Sequence, residues 1–180
     1  MSEGRSYPIK KSFKDVIREK GRIIFRLRPL LPIVEENRMK EWFKQALKED
    51  GAKQNKDNTL NFKIDSVDVK VDVDKKEAIL TAESEELIKI EKQVFNYELE
   101  SFDKQIKEEV KQAKKRNQSK AIKNINDIES KAKAFIRKAE NKAIEKGLEE
   151  KGESIGELIK KENRIDVNGD KRIIWNIKAN

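Results

Sequence analysis

The sequence predicts an α+β fold: an antiparallel sheet with flanking helices that carries a long antiparallel helical hairpin. Three observations predict it. Residues 60–82 alternate apolar and polar side chains with the period of a strand, residues 95–139 repeat apolar side chains at three- and four-residue spacing, and Asn168-Gly169 separates two further alternating runs near the end of the chain.

Taken in order, Ser12 with Asp15 three positions on has the form of a capping box, and Phe13, Val16 and Ile17 share a helical face, so a short helix is expected over 13–20 with Gly21 ending it. Arg22 to Arg28, reading RIIFRLR, is expected to be an edge strand, because Pro29 and Pro32 follow and cannot continue a central one. From Val34 to Asp50 the residues Met39, Trp42, Phe43, Ala46 and Leu47 recur on one helical face, and Gly51 supplies the stop.

In the alternating region, Leu60, Phe62 and Ile64 occupy even positions and Val67, Val69, Val71 and Val73 odd ones. The inward phase switches at Asp65-Ser66, which demands a turn or bulge there. Asp74-Lys75-Lys76 makes a second turn, and Ala78, Leu80 and Ala82 a third strand, completing an antiparallel meander. Ser84, Glu85 and Glu86 then read as a helix start. The stripe Phe95, Leu99, Phe102, Ile106, Val110, Ala113 lapses over KKRNQSK and resumes as Ile125, Ile128, Ala132, Phe135, Ala139. A tight turn at Arg116 to Ser119 would fold the two helices back on one another; a single unbroken rod is the alternative. Ser154 and Glu157 suggest a short helix or turn at 154–161 before the final hairpin, in which Ile165 and Val167 precede the turn and Ile173, Trp175 and Ile177 face inward after it. The expected organisation is one α+β domain formed by 1–83 with 139–180, and a coiled-coil-like hairpin inserted at 84–138 through which homo-oligomers could form. Aligning Gly51 with Gly152 matches Phe43 to Ile144 and Leu47 to Leu148, an αββ pattern twice over that suggests two halves completing one sheet.

Composition narrows the chemistry. The 180 residues contain no cysteine and no histidine, which excludes disulfides, thiolate nucleophiles, imidazole bases and the usual zinc or haem ligand sets. No cofactor is expected. Charged residues make up 42% and apolar ones 36%, a balance suited to long, exposed, two-faced helices. The most apolar stretch, Leu27 to Val34, is broken by two prolines, so no transmembrane segment is expected and the reading is cytoplasmic. Adjacent carboxylates such as Glu85-Glu86, Glu108-Glu109 and Glu149-Glu150 point in different helical directions and make no acid/base dyad. Asp166 to Asp170 lacks the spacing and the distal glutamate of a calcium loop. The seven glycines are scattered and form no phosphate-cradling loop. Binding, and not catalysis, is the class that survives. A metal-dependent enzyme would need an acidic cluster that the sequence does not reveal.

The net charge of +8 is unevenly placed. Residues 1–33 hold nine Lys or Arg against three acids, and residues 110–126 hold Lys111, Lys114, Lys115, Arg116, Lys120 and Lys123 against none. Placed at the tip of a helical hairpin, those six cations could meet a phosphate backbone, an acidic protein surface or anionic lipid, or could be a solvated loop. Arg22, Arg26 and Arg28 could present guanidinium groups to phosphate or carboxylate, or could protect a sheet edge. Trp42 and Trp175 are expected in the core.

Glu36 to Ala82 and Ala139 to Ile177, above all AIEKGLEEKG followed by a terminal hairpin, resemble small proteins first noted in plastid and cyanobacterial genomes, of the Ycf type. The resemblance covers under half the chain and has no counterpart for 84–138. Bacterial relatives of that family accompany FtsH-like AAA+ ATPases in multi-gene systems, which implies a non-catalytic accessory or adaptor that docks on a larger, AAA+-containing assembly through its core and helical arm. A protein partner follows from that reading. The alternative from the charges alone is a nucleic-acid-binding module using the basic tip and the arginine strand.

Overall fold

The structure, a computed structural model, describes the backbone of residues 7–165 and 171–179 and the side chains of 7–154. It is an α+β fold. Along the chain come β1 (Ile9–Arg26), α1 (Glu36–Glu49), β2 (Lys53–Gln54), β3 (Leu60–Ile64), β4 (Val67–Asp72), β5 (Glu77–Val94), α2 (Leu99–Ile155), β6 (Gly156–Ile165) and β7 (Lys171–Ala179). Five strands form one antiparallel sheet in the order β1-β5-β4-β3-β2, and β6 and β7 pair with each other as a separate two-stranded sheet.

The meander forms where the alternation requires it. Leu60, Val67, Val69 and Val71 are buried, and the change of phase between β3 and β4 falls at a turn whose Asp65 has φ of 52°. The next turn places Lys76 at φ of 57°, and Gly51, at φ of 105°, ends α1 in a conformation that glycine adopts without strain. Trp42 is half-buried, under the Arg38 guanidinium, which lies 5.5 Å from the ring centroid.

Five expectations are corrected. Residues 13–20 are strand, part of the 18-residue β1, because Phe13, Ile17, Gly21, Ile23 and Phe25 also fall on one strand face and β5 supplies a full-length hydrogen-bonding partner. Lys10 faces Glu91 while Lys20 faces Glu83, so the two strands run in opposite directions. Residues 84–94 continue β5 and do not start a helix: Ser84, Glu86, Ile88, Ile90 and Val94 point one way, Glu83, Glu85, Leu87, Lys89 and Glu91 the other. The helix begins after Phe95, whose backbone N–H donates to the Glu98 carboxylate at 2.9 Å. The helical hairpin is absent, since 116–119 lie inside the unbroken 57-residue α2. The apolar stripe does not lapse there: Asn117, fully buried, donates through its amide to the Ile17 carbonyl at 2.8 Å, and Ala113 and Ala121 flank it on the same face. A buried, satisfied asparagine reads as loop in a sequence and as core in the fold. Residues 156–161 are strand and not helix, and the second strand pair does not complete the first sheet. The expected Asn168-Gly169 turn lies outside the described residues, and the facing of Ile173, Trp175 and Ile177 lies outside the described side chains.

The chain divides into two compact units: residues 1–25, 63–70 and 78–132, and residues 26–62, 71–77 and 133–180. In the first, Ile17, Ile88 and Ala113 form a buried cluster against which Phe13, Ile90 and Val110 pack, so the early part of α2 lies on β1 and β5. In the second, α1 and the end of α2 run antiparallel: Arg38 pairs with Glu150, Met39 meets Gly147, and Asp50 takes Lys142 and Lys138. The rings of Phe62 and Phe135 stack with centroids 4.3 Å apart.

Asp50 carries a pH prediction. Its carboxylate, only 12% exposed, accepts from Lys142 at 2.8 Å and from Lys138 at 3.2 Å. The Lys142 hydrogen bond above all, with the Lys138 hydrogen bond and the two ammonium charges, holds its pKa below the usual range against the opposing effect of burial. A lowered folded pKa means that this contribution is present above the unfolded value of about 4 and is lost as pH falls through the folded one. Asp50→Asn is expected to cost about 1 kcal/mol at neutral pH. Urea midpoints of variant and wild type should differ at pH 7 and converge as pH falls through the lowered folded pKa.

Candidate interaction surfaces

The candidate cations are sorted by their partners. Arg116 is held by two carboxylates, Glu86 at 2.9 Å and Glu109 at 2.8 Å, which raise the guanidinium pKa further and lower that of Glu86. Lys120 lies 3.9 Å from Glu86. These two serve the fold by tying α2 to β5. Lys111, Lys114, Lys115 and Lys123 are exposed and take part in no hydrogen bond or ion pair among the described residues, and the same holds for Lys104 and Lys107.

The geometry of the helix decides which of the six act together. Lys104, Lys107, Lys111 and Lys114 succeed one another at three- and four-residue steps and Lys115 lies four beyond Lys111, so the five share one side of α2, away from the buried line through Ala113 and Asn117. Lys123 has drifted round the helix from them. Of the acids interleaved with them, Glu109 is paired with Arg116, and Glu108 accepts from the neutral Gln112 at 3.2 Å. The result is a lysine face on the flank of a continuous helix, and not the tip expected from the sequence. Lys104 and Lys107 were missed because the stretch was bounded by the absence of acids; a count by helical phase would have found them.

Arg22 and Arg26 are exposed on β1, which is an edge strand of the sheet. Around them the outward side of β1 is matched to β5 by Arg18 with Glu85 at 2.9 Å and Lys20 with Glu83 at 3.7 Å, exposed pairs that solvent screens. Arg28 lies beyond β1. Its backbone N–H donates to the buried Glu140, whose carboxyl is pushed up by burial and drawn back by the Arg28 and Arg137 charges.

A model of the family described as FtsH ternary system domain X5 matches residues 1–168. The chain belongs to this family. No curated protein and no solved structure is matched by the chain. Membership in the X5 family links the chain to FtsH-associated systems, points to an accessory role there, and suggests a protein partner. It bears on the FtsH side of the resemblance to plastid and cyanobacterial proteins and not on its Ycf side. Among the described residues of this X5 domain, no helix is long and apolar enough to cross a membrane.

Proposed function

We propose that the chain is a non-catalytic accessory subunit that docks on an AAA+ assembly of its FtsH-associated system, the lysine face of α2 meeting an acidic surface of the partner. The observation that carries this is the set of five unpartnered lysines, 104 to 115, on one side of a continuous helix, beside cations of similar reach that the fold has neutralised. Unpaired ammonium groups keep their field in solvent, and a linear array of them steers an acidic partner and fixes its orientation.

The test uses the full chain and the FtsH-like ATPase of the same system, with association followed by biolayer interferometry. Reversing Lys107, Lys111 and Lys115 together to glutamate is expected to weaken association at least about tenfold, mainly through the on-rate, while Lys123→Glu has a smaller effect. Raising salt should reduce the difference, because these charges are exposed. Equal binding of the triple variant would sink the reading. Tighter, lysine-dependent binding to duplex or single-stranded oligonucleotides, with a log–log salt slope of about −4, would replace it by the nucleic-acid reading.

A further inference from the structure

A second surface, in the other compact unit, goes beyond that reading and does not depend on it. Between α1 and the segment 27–35 lies a cleft of about 200 Å³ with a floor of Leu27, Met39, Phe43 and Val73 and a lip of Leu30, Leu31 and Pro32. The floor residues are almost wholly buried, whereas Leu31 is 56% exposed. That volume is below the roughly 300–1,000 Å³ of pockets that enclose cofactors or drug-sized ligands, and suits one bulky side chain.

The lip is built to stay open. Leu27 donates its backbone N–H to the Lys76 carbonyl at 2.9 Å, Arg28 donates its own to Glu140, and Ile33 donates to the Leu31 carbonyl at 2.8 Å across Pro32, an inverse γ-turn that the proline ring favours. Two prolines and three backbone anchors leave little freedom to lose on binding, so an occupant meets a formed groove.

Charge selects the occupant. Arg28, Lys40 and Lys76 rim the cleft with a single acid, Glu36, which is shared between Lys40 at 3.2 Å and Lys76 at 3.8 Å. Asp74, outside the cleft, is 4.0 Å from Lys40 and 3.6 Å from Lys44, and Lys44 also reaches Glu41 at 3.4 Å. Glu140, buried behind Arg28, offsets part of its charge; among the residues that line the cleft the balance is three cations to one acid around an apolar floor.

The geometry points to a docking groove for a short linear segment of a partner protein, one that inserts a single leucine- or phenylalanine-sized side chain and carries carboxylates within a residue or two of it. The backbone of such a segment would run along the lip, with its carboxylates meeting Arg28 and Lys76.

Phage-displayed random heptapeptides selected on the immobilised full chain test this. The selected sequences are expected to share a bulky apolar residue flanked by Asp or Glu. A synthetic copy of the strongest, followed by fluorescence anisotropy, should bind Leu31→Asp at least about tenfold more weakly and Lys76→Gln several-fold more weakly. Because both side chains are exposed, an unchanged urea midpoint shows that each variant is folded. No enrichment over bare wells, enrichment of basic or uncharged sequences, or equal binding to Leu31→Asp overturns the proposal. So does decanoate, a small amphiphilic anion, competing for the groove where no peptide binds. A drop from dimer to monomer mass in light scattering on Leu31→Asp would assign the groove to a second copy of the chain and overturn it as well.

Discussion

Phe43→Ala is expected to lower the unfolding free energy by about 3–5 kcal/mol, the range for removing an aromatic ring from a packed core. Phe43 is 1% exposed and lies one helical turn from both Met39 and Leu47 on the inward face of α1, each as deeply buried. Removing it leaves a cavity that a helix held by Asp50 at its end and by Met39 against Gly147 cannot close. With total stability of small domains near 5–15 kcal/mol, such a loss consumes a large share of it. Urea denaturation checks it: the midpoint should fall while the slope is kept. A midpoint equal to wild type would mean that α1 does not unfold with the rest of its unit. Phe43→Leu, which keeps most of the volume, should recover most of the loss.

Gly21→Val is expected to cost on the order of 3 kcal/mol, for a reason unrelated to backbone freedom. A Cβ at position 21 would sit 2.9 Å from the Ile122 nitrogen, 3.0 Å from the Ala121 carbonyl carbon and 3.1 Å from the Ala121 Cβ. Two of those three atoms are backbone and cannot rotate away, so either α2 lifts off β1 or the strand bends. Gly21→Ala should cost less than valine but still register as a lowered urea midpoint. Gly147→Ala makes a useful contrast, since its Cβ would meet the Met39 sulfur at 2.8 Å, on a side chain that can adjust. If Gly21→Val matched wild type, the close approach of α2 to β1 would be wrong.

These two positions also show what the sequence made legible. Phe43 was readable, because the helix around it repeats Met39, Phe43, Ala46 and Leu47 with a period that only one structure satisfies. The β3–β4 phase switch was readable for the same reason. Gly21 was readable as a special residue but with the wrong purpose: a helix stop is the commonest use of glycine, while a close crossing depends on a partner about a hundred residues away. A different non-local pairing, β1 with β5, turned 13–20 and 84–94 into strands. Each segment has charges at the positions that face solvent and enough helix-compatible spacing to mislead, and only the pairing of β1 with β5 resolves it. The lysine face was half legible. Composition marked 111–123, but which lysines are free depends on where Glu86 on β5 comes to lie, and that pairing took Arg116 and Lys120 out of the set.

Asn117 has a mechanical consequence. Ala113, Asn117 and Ala121 repeat every four residues along the side of α2 that meets the first unit's strands, and small side chains at that spacing offer neighbouring turns of similar fit. A slip by one turn would bring an alanine opposite Ile17 and leave its carbonyl without the amide, at a cost of roughly 1–3 kcal/mol. That hydrogen bond thus acts as a zero mark on the ruler, together with the close crossing at Gly21 and the pairing of Arg116 with Glu86. The lysines from 104 to 115 are graduations on the same ruler. A pull applied to them along the helix axis is carried into β1 and is not dissipated by sliding.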